Sequence, residues 1–128
     1  MSTIPETENP SPETNVSPSR ELPQECMLLR IFLGEGDEYN HRPLYKAIVL
    51  RARELSLAGA TLLRGRMGFG RSNHLHNASI LMLSFDLPMV VEIVDTPEKI
   101  EAFLPELKKM MPDGLITTER AQIIRYQG

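Results

Sequence analysis

Apolar positions first gather at residues 27–33, MLLRIFL, a nearly continuous run closed by Gly34. A short run of that kind reads as a central strand buried on both faces. The polar stretch GEGDEYNHR follows as a loop, and Pro43 sits where a first helical turn accepts it. Leu44, Ile48, Ala52 and Leu55 then recur at helical spacing, so a helix is predicted over 43–58 with Gly59 as its C-terminal stop. Residues 60–67 (ATLLRGRM), 79–84 (SILMLS) and 89–94 (MVVEIV) read as strands. Thr96 and Pro97 are a cap and a first helical residue, and Ile100, Phe103, Leu104, Leu107 and Met111 form one stripe. A second helix is therefore expected over 97–111, with a kink or restart at Pro105. A short strand at 115–118 and a last strand at 121–126 (AQIIRY) complete the order.

The order β-α-β-β-α-β predicts an α+β fold of the ferredoxin-like, split βαβ kind, with two helices on one face of an antiparallel sheet. The strands read as apolar on both faces, so association of copies through the bare sheet face is expected. Residues 1–25 differ in kind. They hold 5 of the 10 prolines, are rich in Ser, Thr and Glu, and lack aromatics. Such a segment buries too little apolar surface to offset its ordering entropy. The reading is a disordered tail over 1–25 and one domain over 26–128.

Composition narrows the classes. The chain has 128 residues, seven Met, no Trp and one cysteine, Cys26, which rules out an internal disulfide. No run is long and apolar enough to span a bilayer, and no signal-peptide pattern opens the chain. A soluble, cytoplasmic protein is expected. The net charge of −3 conceals a basic centre: residues 41–84 carry seven Arg or Lys against Glu54 alone, while the blocks on either side are acidic. That centre suits a small anionic ligand or an acidic partner surface. Nucleic acid fits poorly, because the chain as a whole is acidic and lacks interleaved aromatics.

The centre contains GFGRSNHLHN, residues 68–77. Gly68 and Gly70 around Phe69 let backbone amides approach a ligand, and Arg64, Arg66 and Arg71 flank them as phosphate partners. The same pattern also fits a simple hairpin or loop hinge. His74 and His76 are weak metal candidates, since two imidazoles fall short of the three or four ligands that zinc or copper takes. No nucleophile–base arrangement is visible, so no catalytic residue is assigned and the chain is not read as an enzyme.

These motifs resemble the PII signal-transduction proteins. GATLLRGRMGFGRSNHLH, residues 59–76, is similar to the strand that leads into their mobile T-loop; LPMVVEIV (87–94), PDGL (112–115) and AQIIRY (121–126) echo later PII elements. With PLYKAIVLRARE and EKIEAFLPEL, the pattern is closer still to a PII-like branch, the Domain of Unknown Function 190 family, over about residues 27–126. The resemblance implies a homotrimer that binds an adenine nucleotide in clefts between subunits and engages a target, a membrane transporter or channel among the options, through the loop at 68–78. By the same resemblance Thr61 would touch the base or ribose, with Glu92 near the base. Gly68, Phe69, Gly70 and Arg71 would lie beside the phosphates, Asp113 and Gly114 would give backbone contacts, and Arg125 would pair with phosphate. Glu35 belongs to the branch's own pattern as a loop ligand.

Some PII positions differ. Leu115 stands in place of a phosphate-binding Lys, Ser72 in place of a Gln, and Gln122 and Gln127 in place of arginines. Each lost cation removes about 1.5–3 kcal/mol of charge-assisted contact. AMP, ADP or a cyclic nucleotide therefore fits better than magnesium-ATP, and no cofactor is required. The alternatives are a divalent-metal-binding trimer of the cation-tolerance type and a structural subunit of a membrane channel or transporter.

Overall fold

The computed structural model describes residues 21–69, 76–77 and 87–126. The order is β1 (Glu25–Gly34), β2 (Glu38–Tyr39), β3 (Arg42–Pro43), α1 (Leu44–Glu54), β4 (Thr61–Arg64), β5 (Met67–Gly68), β6 (His76–Asn77), β7 (Pro88–Asp95), α2 (Pro97–Met110) and β8 (Leu115–Gln122). Among the described residues four strands make the main sheet in the order β4-β7-β1-β8, every neighbour antiparallel. With two helices on one face, this is the expected ferredoxin-like split βαβ fold.

Alternation places the core. Leu29, Ile31 and Leu33 of β1 and Met89, Val91 and Ile93 of β7 are buried on the helix side. Ile48 and Ala52 of α1 and Ile100, Phe103 and Leu107 of α2 close over them. A helix with an apolar stripe at i, i+3, i+4 and i+7 is stable here because the sheet covers that stripe.

Several boundaries depart from the sequence reading. The helix expected over 43–58 is shorter, Leu44–Glu54. Ser56, not Gly59, takes the left-handed C′ position at φ 62°. Ser56 N–H donates to Arg53 O and Leu57 N–H to Ala52 O, both at 3.0 Å, the two bonds of a Schellman stop. Pro43 lies outside the helix as its N-cap, because its extended ψ of 129° serves the β3 pairing. α2 runs through Pro105 without a restart, and Pro105 and the Glu101 whose carbonyl it leaves unpaired are both exposed to water. The strand expected over 60–67 breaks at Gly65, whose N–H donates to Pro88 O at 2.7 Å. Pro88 has no N–H to return, so the ladder stops there. The strands expected at 115–118 and 121–126 are one strand, Leu115–Gln122, and its ladder ends where β1 begins at Glu25. The strand expected at 79–84 lies outside the described residues.

The stretch read as a polar loop contains a hairpin. Tyr39 pairs with Arg42, and Asn40 (φ 52°) and His41 (φ 63°) turn between them. Two positive φ values in a two-residue loop make a type I′ turn, which favours Asn-Gly over Asn-His. His41→Gly should therefore raise stability by about 0.5–1 kcal/mol. A shift of the urea midpoint upward at unchanged slope checks this.

Candidate functional site

β1 and β4 end, and β7 and β8 begin, at one edge of the sheet, so antiparallel pairing brings distant motifs together. Glu35 leaves β1 and donates its N–H to Leu87 O at 2.8 Å. Asp37 shapes that turn: its Oδ2 accepts Gly34 N–H at 2.9 Å and its carbonyl accepts Leu44 N–H at 2.8 Å. The Glu35 carboxylate then reaches Arg64 at the end of β4, Oε2 to Nη2 3.2 Å. Glu35 is mostly covered at 21% side-chain exposure, whereas Arg64 keeps 53%. Arg64 thus has one side held by Glu35 and one side open to solvent.

Two glycines fit closely here. A Cβ at Gly65 would come 2.8 Å from the Pro88 ring and 3.2 Å from its carbonyl, and one at Gly68 would come 3.1 Å from the ring. Gly68 pairs with His76 across the short β5–β6 ribbon. Arg66 and Phe69 are exposed beside it, Phe69 at 66%. Asp113 is exposed, and Gly114 sits at φ 126° with the Phe32 carbonyl 3.6 Å from where its Cβ would be. Glu35, Arg64, Arg66, Gly68, Phe69, Asp113 and Gly114 therefore share one end of the sheet. Gly70, Arg71 and His74 lie outside the described residues, and of His76 the backbone alone is described.

Thr61, Glu92 and Arg125 do not join this group within one chain. Thr61 is opposite Glu92, three positions along β4 from Arg64, and both belong to the face away from the helices. Arg125 follows the far end of β8. At about 3.3 Å per residue, the seven steps of β8 separate it from Gly114 by more than 20 Å.

The sequence reading missed Arg30. It is the one charge in the run MLLRIFL, and that isolation was the available signal. Arg30 Nε meets Glu92 Oε2 at 2.9 Å and Nη1 meets Glu119 Oε2 at 3.0 Å, linking three strands on the bare face. The hydrogen bond to Glu92 above all, and the charge of Glu119, raise the pKa of its guanidinium. The Glu92 carboxylate is thus already engaged. The bare face is correspondingly less uniform than expected: Leu63 (47% exposed) and Leu115 (55%) form an apolar row with Val90 and Phe32, and the Arg30 cluster lies beside it. Cys26 is buried, its thiol directed at Pro23 O at 3.4 Å. Among the described residues no three His, Cys, Asp or Glu side chains are grouped to hold a metal, and no helix is long and apolar enough to cross a membrane.

The profile of the DUF190 family, described as Uncharacterized ACR, matches residues 26–123. The chain belongs to the DUF190 family. A UPF0166 protein of Aquifex aeolicus (strain VF5) is 41% identical over 97 residues, covering 76% of this chain and 91% of that protein. A UPF0166 protein of Methanocaldococcus jannaschii is 34% identical over 90 residues, covering 70% and 82%. Among solved structures, CPII, a nitrogen regulatory PII-like protein from Thiomonas intermedia K12 bound to ADP, AMP and bicarbonate, superposes with a TM-score of 0.54 at 15% identity, over 79% of this chain and 90% of that one. A putative PII-like signalling protein from Thermus thermophilus gives 0.51 at 15% identity, over 77% and 87%. The DUF190 chain therefore has the PII-like fold, as its motifs implied.

Proposed function

We propose that this DUF190 protein is a PII-like regulatory protein, not an enzyme, that binds an adenine nucleotide and acts on a partner through the segment around residues 68–78. The observation that carries the reading is the end of the sheet where half-free Arg64, exposed Arg66 and the close-packed backbone at Gly65 and Gly68 converge. Guanidinium forks set side by side are suited to phosphate, and the missing side chains at Gly65 and Gly68 keep the backbone close to Pro88 beside them. The ADP and AMP bound by the Thiomonas protein of the same fold support the ligand class.

A second copy completes the site in this reading. Arg125 follows the far end of β8, away from the end of the sheet where Arg64 sits, and the apolar row on the bare sheet face offers the contact surface. A homotrimer with nucleotide clefts between subunits satisfies both. Its target would be a protein, with a membrane transporter or channel the leading class, and its place the cytoplasm. Residues 1–22 would be a tail outside this unit; the boundary expected after residue 25 moves back, because Glu25 pairs with Gln122 and Gln24 O accepts Ile123 N–H at 2.7 Å.

Calorimetry with AMP, ADP, cyclic AMP and magnesium-ATP tests the ligand. AMP, ADP or the cyclic nucleotide should bind more tightly than magnesium-ATP. Arg64→Ala should weaken that binding at least tenfold, about 1.4 kcal/mol, the scale of one charge-assisted bond. Absence of binding by all four at millimolar concentration would refute the ligand assignment. Light scattering that returned a monomer in the presence of nucleotide would refute the shared cleft.

A further inference from the structure

The helix side of the molecule holds a second feature that shares no residue with the sheet-end site. A groove of about 540 Å³, open to solvent, runs between α1, the C-terminal turns of α2 and the β2–β3 hairpin. That size suits an organic ligand or a few side chains rather than a single ion.

Charge in the groove is uneven. Arg51 stands at its centre, with Nη1 2.9 Å from Glu54 and Nε 3.1 Å from Glu106. Lys109 Nζ lies 3.9 Å from the other oxygen of Glu106. Those four side chains neutralise one another. Arg42 and Arg53 also line the groove, and neither has an acidic partner among the described residues. They come from different elements. Arg42 is held beside Tyr39 by the tight turn of the hairpin, and Arg53 sits in the last turn of α1. Two uncompensated guanidiniums therefore approach the groove from separate elements. Leu50, 42% exposed, adds an apolar wall next to buried Ala47 and Met110.

We propose that this groove binds an acidic peptide segment of a partner protein, with carboxylates on Arg42 and Arg53 and one apolar side chain against Leu50. Charge complementarity selects the occupant: a guanidinium fork matches a carboxylate in two bonds. A free phosphate would satisfy the arginines and leave Leu50 uncovered, whereas a segment with an apolar anchor covers both. The ordered Arg51 network lets the walls meet a ligand without first being fixed, which lowers the entropy cost of binding.

Panning a random twelve-residue peptide library on the immobilised full-length protein tests this. The expected pool is rich in Asp and Glu beside Leu, Ile or Phe. A synthetic peptide of its consensus should bind more than tenfold more weakly to Arg42→Glu/Arg53→Glu and several-fold more weakly to Leu50→Ser, and its affinity should fall as salt rises. All three positions are at the surface, and circular dichroism verifies the fold of each variant; Arg53→Gln serves if the charge reversal does not fold. The proposal is overturned by a pool without acidic enrichment, by no enriched pool, or by affinity unchanged in the groove variants. It is equally overturned if ADP displaces the peptide and Arg64→Ala abolishes its binding, since that places the peptide at the sheet end.

Discussion

Asp95→Ala should cost about 3 kcal/mol of stability, the largest effect expected from removing one polar side chain among the described residues. Asp95 is fully buried at the last position of β7, where the chain turns into α2. One carboxylate oxygen accepts Ala58 N–H at 2.8 Å and the other accepts Thr96 N–H at 2.7 Å. The first bond anchors the linker after α1, and the second fixes the residue that caps α2. Thr96 Oγ1 in turn accepts Lys99 N–H at 3.1 Å, and Lys99 Nζ donates to Leu55 O at 2.9 Å, back at the end of α1. Removing the carboxylate strands two backbone donors, each worth about 1.5–3 kcal/mol when bonded to a charged acceptor. The relief of burying one charge offsets part of this, though the N-terminal end of α2 already favours a negative group there. Asp95→Asn keeps one acceptor and should lose about half as much. Urea unfolding of all three proteins at one protein concentration measures the series. A loss below about 0.5 kcal/mol for the alanine variant would contradict this role.

Gly114→Ala should cost about 2–3 kcal/mol. The residue adopts φ 126°, outside the region that L side chains occupy at low cost. Its Cβ would also press on the terminal methyl of Met111. The methyl can move, so the backbone supplies most of the penalty. Gly114 immediately precedes Leu115, which pairs with Phe32, so strain here falls on the start of the β8 ladder. Under the proposed function, nucleotide binding at the sheet end should weaken as well, because Asp113 would shift with it. Full retention of stability in Gly114→Ala would show that the turn accepts another conformation.

Most of the architecture was readable from periodicity. Thr96 and Pro97 announced the start of α2, and the apolar run MVVEIV gave β7, although which of its faces is buried came only with the pairing and the helices above it. Readings failed where partners, not local pattern, decide. Ser56 ends α1 because Leu57 and Ser56 N–H groups find carbonyls in the last turn, so the nearby glycine is not used. β8 was split in two because its exposed TTER core lacks an apolar rhythm, and its ladder comes from β1. Of the candidate site, the glycines and Arg64 could be picked out from the motif. The Glu35–Arg64 contact crosses 29 positions of sequence and the Arg30 cluster joins three strands, so neither is visible before pairing is known.

Among the described residues β4 and β8 are the outer strands of the main sheet, and an outer strand invites uncontrolled pairing with another chain. β4 offers four residues before Gly65 turns away, and β8 sets Thr117, Thr118, Glu119 and Arg120 along its exposed length. Brevity on one border and charge on the other work against open-ended ribbon growth. A crowded cell would thus find these chains slow to aggregate edge to edge.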